Sequence, residues 1–397
     1  APKIDVGKVR AFKNKVVAQL TGGAGQLSKQ RKIRHLRGYA TFRDARTLEV
    51  TAVDDKRTDV LSFEHAIIAT GSKPAIIPSL ALDSPRVMDS SAALDLPDIP
   101  KSLLVVGGGY IGLELGTVYA ALGTKVTVVE MTSGLLPGAD RDLVNILARR
   151  VDAMCEAVLL NTKVVSMKET KNGVAVSFES EASGAQEKTF DRVLVSIGRK
   201  PNAVPGVEKT RVKVGPRGFV EVAENMQTAE PTIYAIGDVV GEPMLAHKAS
   251  HEARVAVEAI AGEKVAFEPL AIPAVVFTDP EVAWCGLTET EAQKQKREVS
   301  VVRFPWGASG RAITLDRTDG VTKLVIDPST ERVLGVGIVG PGAGELISEG
   351  VLAVEMGATA SDVKLSIHPH PTLSETLMES AEVFFGHATH VYRPKRK

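Results

Sequence analysis

Apolar residues Val9, Phe12, Val16 and Leu20 recur at steps of three and four. That spacing predicts an amphipathic helix within a helical first forty residues, ending at Gly22-Gly23. Short runs of apolar and β-branched residues at 47–51 and 66–69 predict strands, and prolines at 74–85 and 97–100 mark a boundary. From Leu103 the pattern alternates strand, helix and strand, as a parallel α/β unit does, and a β-rich stretch runs on to Asp191. A strand, a turn and a helix ending near Gly262 follow from Thr232. Beyond Pro269 come β-like runs at 275–277, 299–304 and 322–326, then helical segments at 344–356 and 374–385. There is no tandem repeat and no low-complexity segment.

The α/β unit opens on a recognisable turn. The apolar run 103–106 feeds into Gly107-Gly108-Gly109-Tyr110-Ile111-Gly112, a G-x-G-x-x-G pattern followed at once by helix-forming residues. A second strand, 125–129, ends in Glu130, 18 positions after Gly112. In that context the motif reads as a dinucleotide site. Gly107 permits the tight turn, Gly109 lets backbone approach a pyrophosphate, and Gly112 allows close helix–strand packing. The helix N-terminus offers free N–H groups to the anion. Glu130 accepts from an unphosphorylated ribose and repels a 2′-phosphate, and Met131-Thr132-Ser133 supplies no arginine for one. NAD is therefore expected rather than NADP.

Composition narrows the function classes. The chain has 397 residues, enough for two or three domains at about 150 residues each. Lys plus Arg and Asp plus Glu both count 48, so net charge is zero and no basic excess points to nucleic acid or a membrane surface. The basic clusters 31–34 and 393–397 read as solvated surface. Residues 103–123 are apolar enough to mimic a membrane span, but Glu114 and six glycines interrupt them. Two cysteines, Cys155 and Cys285, form neither a disulfide framework nor a zinc spacing, which suits a reducing, cytoplasmic compartment.

Further candidates stand elsewhere. Gly237-Asp238 lies where a strand ends, so Asp238 can bond ligand hydroxyls or cap a helix. His370 and Glu375 can pair, the carboxylate orienting the imidazole either for proton transfer or as a structural hydrogen bond. His247 and His251 are one helical turn apart but have no third metal ligand, so no metal is expected. Residues 304–306, Phe-Pro-Trp, read as packing.

These motifs in this order resemble dihydrolipoamide dehydrogenases, within the flavoprotein disulfide reductases. Ala66-Ile-Ile-Ala-Thr-Gly-Ser72 resembles the segment passing near the flavin nucleotide, which implies Thr70 and Gly71 as contacts. Ser196-Ile-Gly-Arg-Lys-Pro-Asn202 resembles the motif closing the nicotinamide domain, which implies Gly198. Thr232-Ile-Tyr-Ala-Ile-Gly-Asp238 resembles the second flavin motif, whose aspartate holds the FAD ribityl chain. Met244, Leu245, Ala246 and His247 then lie along the flavin, and Glu114 stands near the nicotinamide. Tyr110 takes the place where related reductases put an aromatic lid, a role open beside simple packing. His368-Pro-His-Pro-Thr-Leu-Ser-Glu375 resembles the signature of the catalytic base, His370 held by Glu375.

The resemblance implies two Rossmann-like dinucleotide-binding domains, the FAD one incomplete, plus a C-terminal α+β dimerisation domain. Its divisions fall at 1–98 (rest of the FAD domain), 99–226 (NAD), 227–267 (returning FAD segment) and 268–397 (dimer interface). It implies a homodimer whose active site takes the histidine from the partner subunit. It implies FAD and NAD as cofactors, dihydrolipoamide as substrate, and the lipoyl domain of a 2-oxo-acid dehydrogenase complex as its carrier. Family members also carry a first strand–GxGxxG–helix, a C-x-x-x-x-C redox pair and a nearby lysine, which this sequence lacks. The expectation is a partial chain of a complete enzyme, inactive alone toward dihydrolipoamide. The alternatives are a naturally short NAD(H)-binding homodimer, or another reductase of the glutathione or mercuric type. Glu130 opposes the NADP-dependent ones, and the C-terminus lacks the cysteine pair of the mercuric ones.

Overall fold

Residues 103–106 and 125–129 are apolar at nearly every position, as strands covered on both faces must be. The computed structural model, describing residues 4–181 and 184–392, puts both in a five-stranded parallel sheet. The chain divides into two compact units, Ala1–Ala75 with Arg199–Glu268 and Ile76–Gly198 with Pro269–Lys397. The basic cluster at 393–397 lies outside the described residues, and the one at 31–34 is exposed.

In the second unit the parallel sheet runs Val87–Met88, Arg192–Val195, Ser102–Val106, Lys125–Val129, Ala157–Leu159. The helices Tyr110–Ala121 and Arg141–Met154 follow its central strands, burying Leu113, Leu115 and Tyr119, and Leu143, Val144, Leu147 and Val151. An antiparallel meander, Thr162–Thr170, Gly173–Ser180 and Gly184–Phe190, packs Val174, Val176 and Phe178 against Leu104, Val106 and Val129.

The C-terminal part of this unit is a five-stranded antiparallel sheet ordered Ala274–Val276, Glu281–Gly286, Val333–Gly340, Val321–Ile326, Ser300–Pro305. Trp306 is fully buried at its centre. A Cβ at Gly320 or Gly340 would come within 2.3 Å of the indole, so both positions require glycine. The indole Nε1 donates to Thr322 Oγ1 at 3.0 Å, and Thr322 Oγ1 lies 2.7 Å from Thr376 Oγ1. This chain of bonds seats the helix Glu375–Phe385 on the sheet.

One buried cation ties the helix Arg141–Met154 to the antiparallel sheet. Lys323, 1% exposed, places Nζ 2.7 Å from Asp140, 2.7 Å from Asp142 and 3.1 Å from Glu289, with Arg303 bonded to the last two. Burial works against the charge of Asp140, but Lys323 and the Thr290 hydroxyl and amide outweigh it and lower its pKa to about 2. An unpaired ammonium there would be costly; three carboxylates make it tolerable.

The first unit holds an antiparallel sheet of Gly38–Asp44, Thr47–Ala52 and Thr58–Ser62. A parallel pair, Ala66–Ile68 with Ile233–Ala235, packs Ile68, Ile233 and Ala235 against Phe42, Val212, Val220 and Val239. Its first helix, Val6–Gln30, is capped by Asp5 and runs through Gly22-Gly23 rather than ending there. Glycine costs a helix only about 1 kcal/mol per residue, and the Ala, Leu and Gln that follow sustain the hydrogen bonds. No residue of this helix is buried, and Phe12 and Leu20 are largely exposed. The helical reading of the first forty residues also overran the strand that begins at Gly38.

Candidate functional site

Gly107 follows the strand Ser102–Val106 with φ +107°, a conformation open to glycine. A Cβ there would lie 2.5 Å from Ser196 O; one at Gly112 would lie 2.3 Å from Gly107 O. Both glycines are therefore demanded by the turn itself. Gly109 differs, because a Cβ there would meet nothing within 4 Å. It is the N-cap of the helix Tyr110–Ala121 and supplies no side-chain cap, so the first-turn amides remain available to an anion.

A crevice of about 370 Å³ opens at this turn. Gly107, Gly109, Glu130 and Gly198 all line it, with Met131, Ser196 and Lys163. Glu130 is 9% exposed; Oε2 accepts from the Gly108 amide and Oε1 from the Thr132 amide, both at 2.7 Å. The carboxylate thus pins the glycine turn to the end of the next strand, and each oxygen keeps a second lone pair for a ribose hydroxyl. An uncapped helix end, a glycine opening on empty space and a fixed carboxylate fit the ADP half of a dinucleotide.

Glu114 does not line the crevice. Its Oε1 accepts from the Phe277 amide at 2.8 Å, and burial raises its pKa although that bond works the other way. Tyr110 begins the helix with its side chain 40% exposed.

In the first unit the parallel strand pair brings Thr70-Gly71 and Gly237-Asp238 to neighbouring strand ends. Asp238 Oδ2 accepts from Ser72 Oγ at 2.5 Å, and that hydroxyl accepts from Arg199 Nε at 2.7 Å. Asn202 donates to Thr70 O at 2.8 Å. Gly71 has φ +67°, and a Cβ on it would meet nothing. Met244 and Leu245 lead into the helix Ala246–Ile260, whose N-cap, Leu245, again gives no side-chain cap. A held carboxylate, a bare glycine and an uncapped helix end fit a flavin nucleotide's hydroxyls and electron-rich ring edge. His247 and His251 sit exposed on that helix.

The remaining pair stands before the helix Glu375–Phe385. His370 Nδ1 lies 2.9 Å from Glu375 Oε1, and Glu375 Oε2 accepts from the Thr372 amide at 2.7 Å. Burial works against the Glu375 charge; the Thr372 amide, the His370 ring and nearby His368 outweigh it and hold its pKa low. His370 is 74% exposed, so its second ring nitrogen faces outward, where it can exchange a proton. The two cysteines offer no comparable reactivity. Burial pushes Cys155 up to about 11 and Cys285 up to about 12.

Comparison with known proteins identifies the family. The pyridine nucleotide-disulphide oxidoreductase family model matches residues 3–253, and the dimerisation domain of the same enzymes matches residues 272–381. A dihydrolipoyl dehydrogenase of Vibrio cholerae is 46% identical over all 397 residues, which span 83% of its length. The chain belongs to the dihydrolipoyl dehydrogenase family. A dihydrolipoyl dehydrogenase of Haemophilus influenzae is 47% identical over the whole chain and 82% of its own length. Among solved structures, LpdA of Mycobacterium tuberculosis superposes with a TM-score of 0.88 at 27% identity, covering 96% of this chain and 84% of that one. The flavoprotein disulfide reductase RclA of Escherichia coli gives 0.86 at 28% identity, covering 95% and 85%.

Several residues at these candidate sites stand within the quoted segments but were not singled out by the sequence. Ser196, Thr132 and Arg199 act through backbone and hydroxyl bonds set by the fold. Ser72 stood inside the flavin-like segment, and only its bond to Asp238 singles it out.

Proposed function

We propose that the intact protein reoxidises dihydrolipoamide and delivers its two electrons, through the family's redox disulfide and FAD, to NAD. Bound FAD and NAD supply the electron- and hydride-carrying chemistry, and the protein supplies position and electrostatics. The turn Gly107, Gly109 and Gly112 holds the NAD pyrophosphate, Glu130 its ribose, and Gly198 and Glu114 the nicotinamide side. Thr70, Gly71 and Asp238 hold the FAD chain, with Met244, Leu245, Ala246 and His247 beside the flavin.

His370 moves the proton. Its second ring nitrogen accepts from a substrate thiol, leaving a thiolate that would attack the redox disulfide of the family's C-x-x-x-x-C segment and break its S–S bond, while Glu375 fixes the ring and stabilises its cationic form. The balance is two S–H bonds broken, one S–S bond formed, a hydride to NAD and one proton to solvent. In the homodimer, His370 serves the site of the partner subunit. The substrate arrives on the lipoyl domain of a 2-oxo-acid dehydrogenase complex in a reducing, cytoplasmic compartment. The functional divisions 1–98, 99–226, 227–267 and 268–397 describe FAD, NAD, FAD and dimerisation segments.

The observation that carries this reading is the 2.9 Å His370–Glu375 pair in a chain 46% identical to a dihydrolipoyl dehydrogenase. The test is a visible spectrum of the intact protein followed by dihydrolipoamide-dependent NADH formation. Stoichiometric flavin with turnover of NAD over NADP supports it. NADH binding without flavin or thiol oxidation would instead favour a non-redox nucleotide-binding homodimer.

A further inference from the structure

A second histidine–carboxylate pair stands one helical turn beyond the first. Glu379 follows Glu375 by four residues on the same helix, so the two carboxylates share a face about 6 Å apart along the axis. Beyond the helix end at Gly386, φ +72°, the chain turns back and sets His390 against Glu379. His390 Nδ1 lies 2.5 Å from Glu379 Oε1. The Glu379 side chain is 7% exposed, and its Oε2 is buried without a hydrogen-bond partner. His370, Glu375, Glu379 and His390 all line one cavity of about 220 Å³, closed by Phe304 and Ile313.

We propose that Glu379 and His390 act on the first pair: Glu379 is a positioning residue whose charge favours the cationic form of His370, and His390 holds that charge in place. The inference rests on His370 being the proton acceptor. It follows from the Glu379 carboxylate, which borders the same cavity as His370 and whose Oε2 atom is buried with no hydrogen-bond partner.

Other charged groups near this helix are engaged elsewhere. On the helix Ala360–Leu365, Asp362 bonds Thr359, and Lys364 lies over the Phe385 ring. On the strands beneath, Arg303 and Lys323 bond Asp142 and Glu289. His368 pairs with Glu349 at 2.7 Å, and Arg311 on the segment Gly310–Thr314 reaches Thr314. Glu379 shares its cavity with the His370–Glu375 pair.

The test is a histidine NMR titration of the whole protein, which reads His370 whether or not the protein turns over substrate. Glu379→Gln keeps the shape and removes the charge. Across roughly 6–10 Å, at an effective dielectric constant between those of a protein surface and water, the pH of His370 titration should fall by about half a unit. Glu379→Asp should restore most of it. His390→Gln, which takes away the group holding the carboxylate, should lower the value by the same amount or less. The double variant should match Glu379→Gln alone, because both changes act through one charge. A His370 value within about 0.1 unit of the parent in Glu379→Gln would overturn the proposal, as would a rise in His390→Gln. If these shifts appear while His370→Gln retains full dihydrolipoamide turnover, the coupling stands and the assigned function falls.

Discussion

Glu130 offers the sharpest test of the nucleotide crevice. Both its oxygens accept backbone amides at 2.7 Å while the residue is 9% exposed. In Glu130→Gln one oxygen becomes an NH2 group that faces an amide N–H and can accept nothing. Losing one charge-assisted bond in a nearly buried site costs about 1.5–3 kcal/mol. Part of that loss falls on the Gly107–Gly109 turn proposed to receive the pyrophosphate, so NADH affinity should drop roughly tenfold or more. NADPH should behave differently. Removing a negative charge about 6 Å from a 2′-phosphate, at an effective dielectric constant of 20–40, relieves about 1.5–3 kcal/mol of repulsion per phosphate charge. The NADH-to-NADPH affinity ratio should therefore fall by roughly ten- to a hundredfold, measured by calorimetric titration of both nucleotides. An unchanged ratio would refute the placing of Glu130 at the ribose. An unchanged NADH affinity would refute its role in holding the turn.

Three further outcomes follow from the same geometry. Gly112→Ala forces a Cβ against Gly107 O at 2.3 Å; overpacking should cost about 1–3 kcal/mol in denaturant unfolding and weaken NADH binding in step, and an equally stable variant would contradict the packing argument. Lys323→Met leaves the Asp140, Asp142 and Glu289 cluster without its buried cation and should lower stability by about 3–5 kcal/mol at neutral pH. The Asp140 pKa is depressed from 3.8 to about 2, so its share, about 2 kcal/mol, is present above pH ~4 and lost as pH falls through ~2; the deficit of the variant should narrow over that window, and a pH-independent deficit would contradict the pairing. Cys155 and Cys285, pushed to about 11 and 12, should alkylate far more slowly at pH 8 than a free thiol in the folded protein, and rapid labelling of either would sink the assignment of both as unreactive.

Much of the geometry of the candidate nucleotide site was legible in sequence because its requirements are local. A tight turn, an uncapped helix and an acidic strand end each leave a residue-level mark at Gly107, Gly112 and Glu130. The His370–Glu375 pair was equally plain, five residues apart across a helix start. What stayed hidden depends on distant chain segments. Lys323 reads as an ordinary strand lysine until the fold sets it against Asp140, 183 residues earlier. His390 has no sequence neighbour that suggests chemistry; only the reversal after Gly386 brings it back to Glu379. The misplaced end of the first helix has another cause. Glycine penalises a helix without forbidding it, so Gly22-Gly23 is weaker punctuation than a proline.

The central claim is that His370, held by Glu375, is the proton acceptor for dihydrolipoamide while nucleotide binding lies elsewhere on the chain. The most direct measurement compares parent and His370→Gln intact protein for dihydrolipoamide turnover and for NADH affinity. Loss of general-base catalysis predicts turnover falling by about 10²–10⁴-fold, with NADH affinity unchanged. Equal loss of both, or turnover surviving the substitution, would contradict the account.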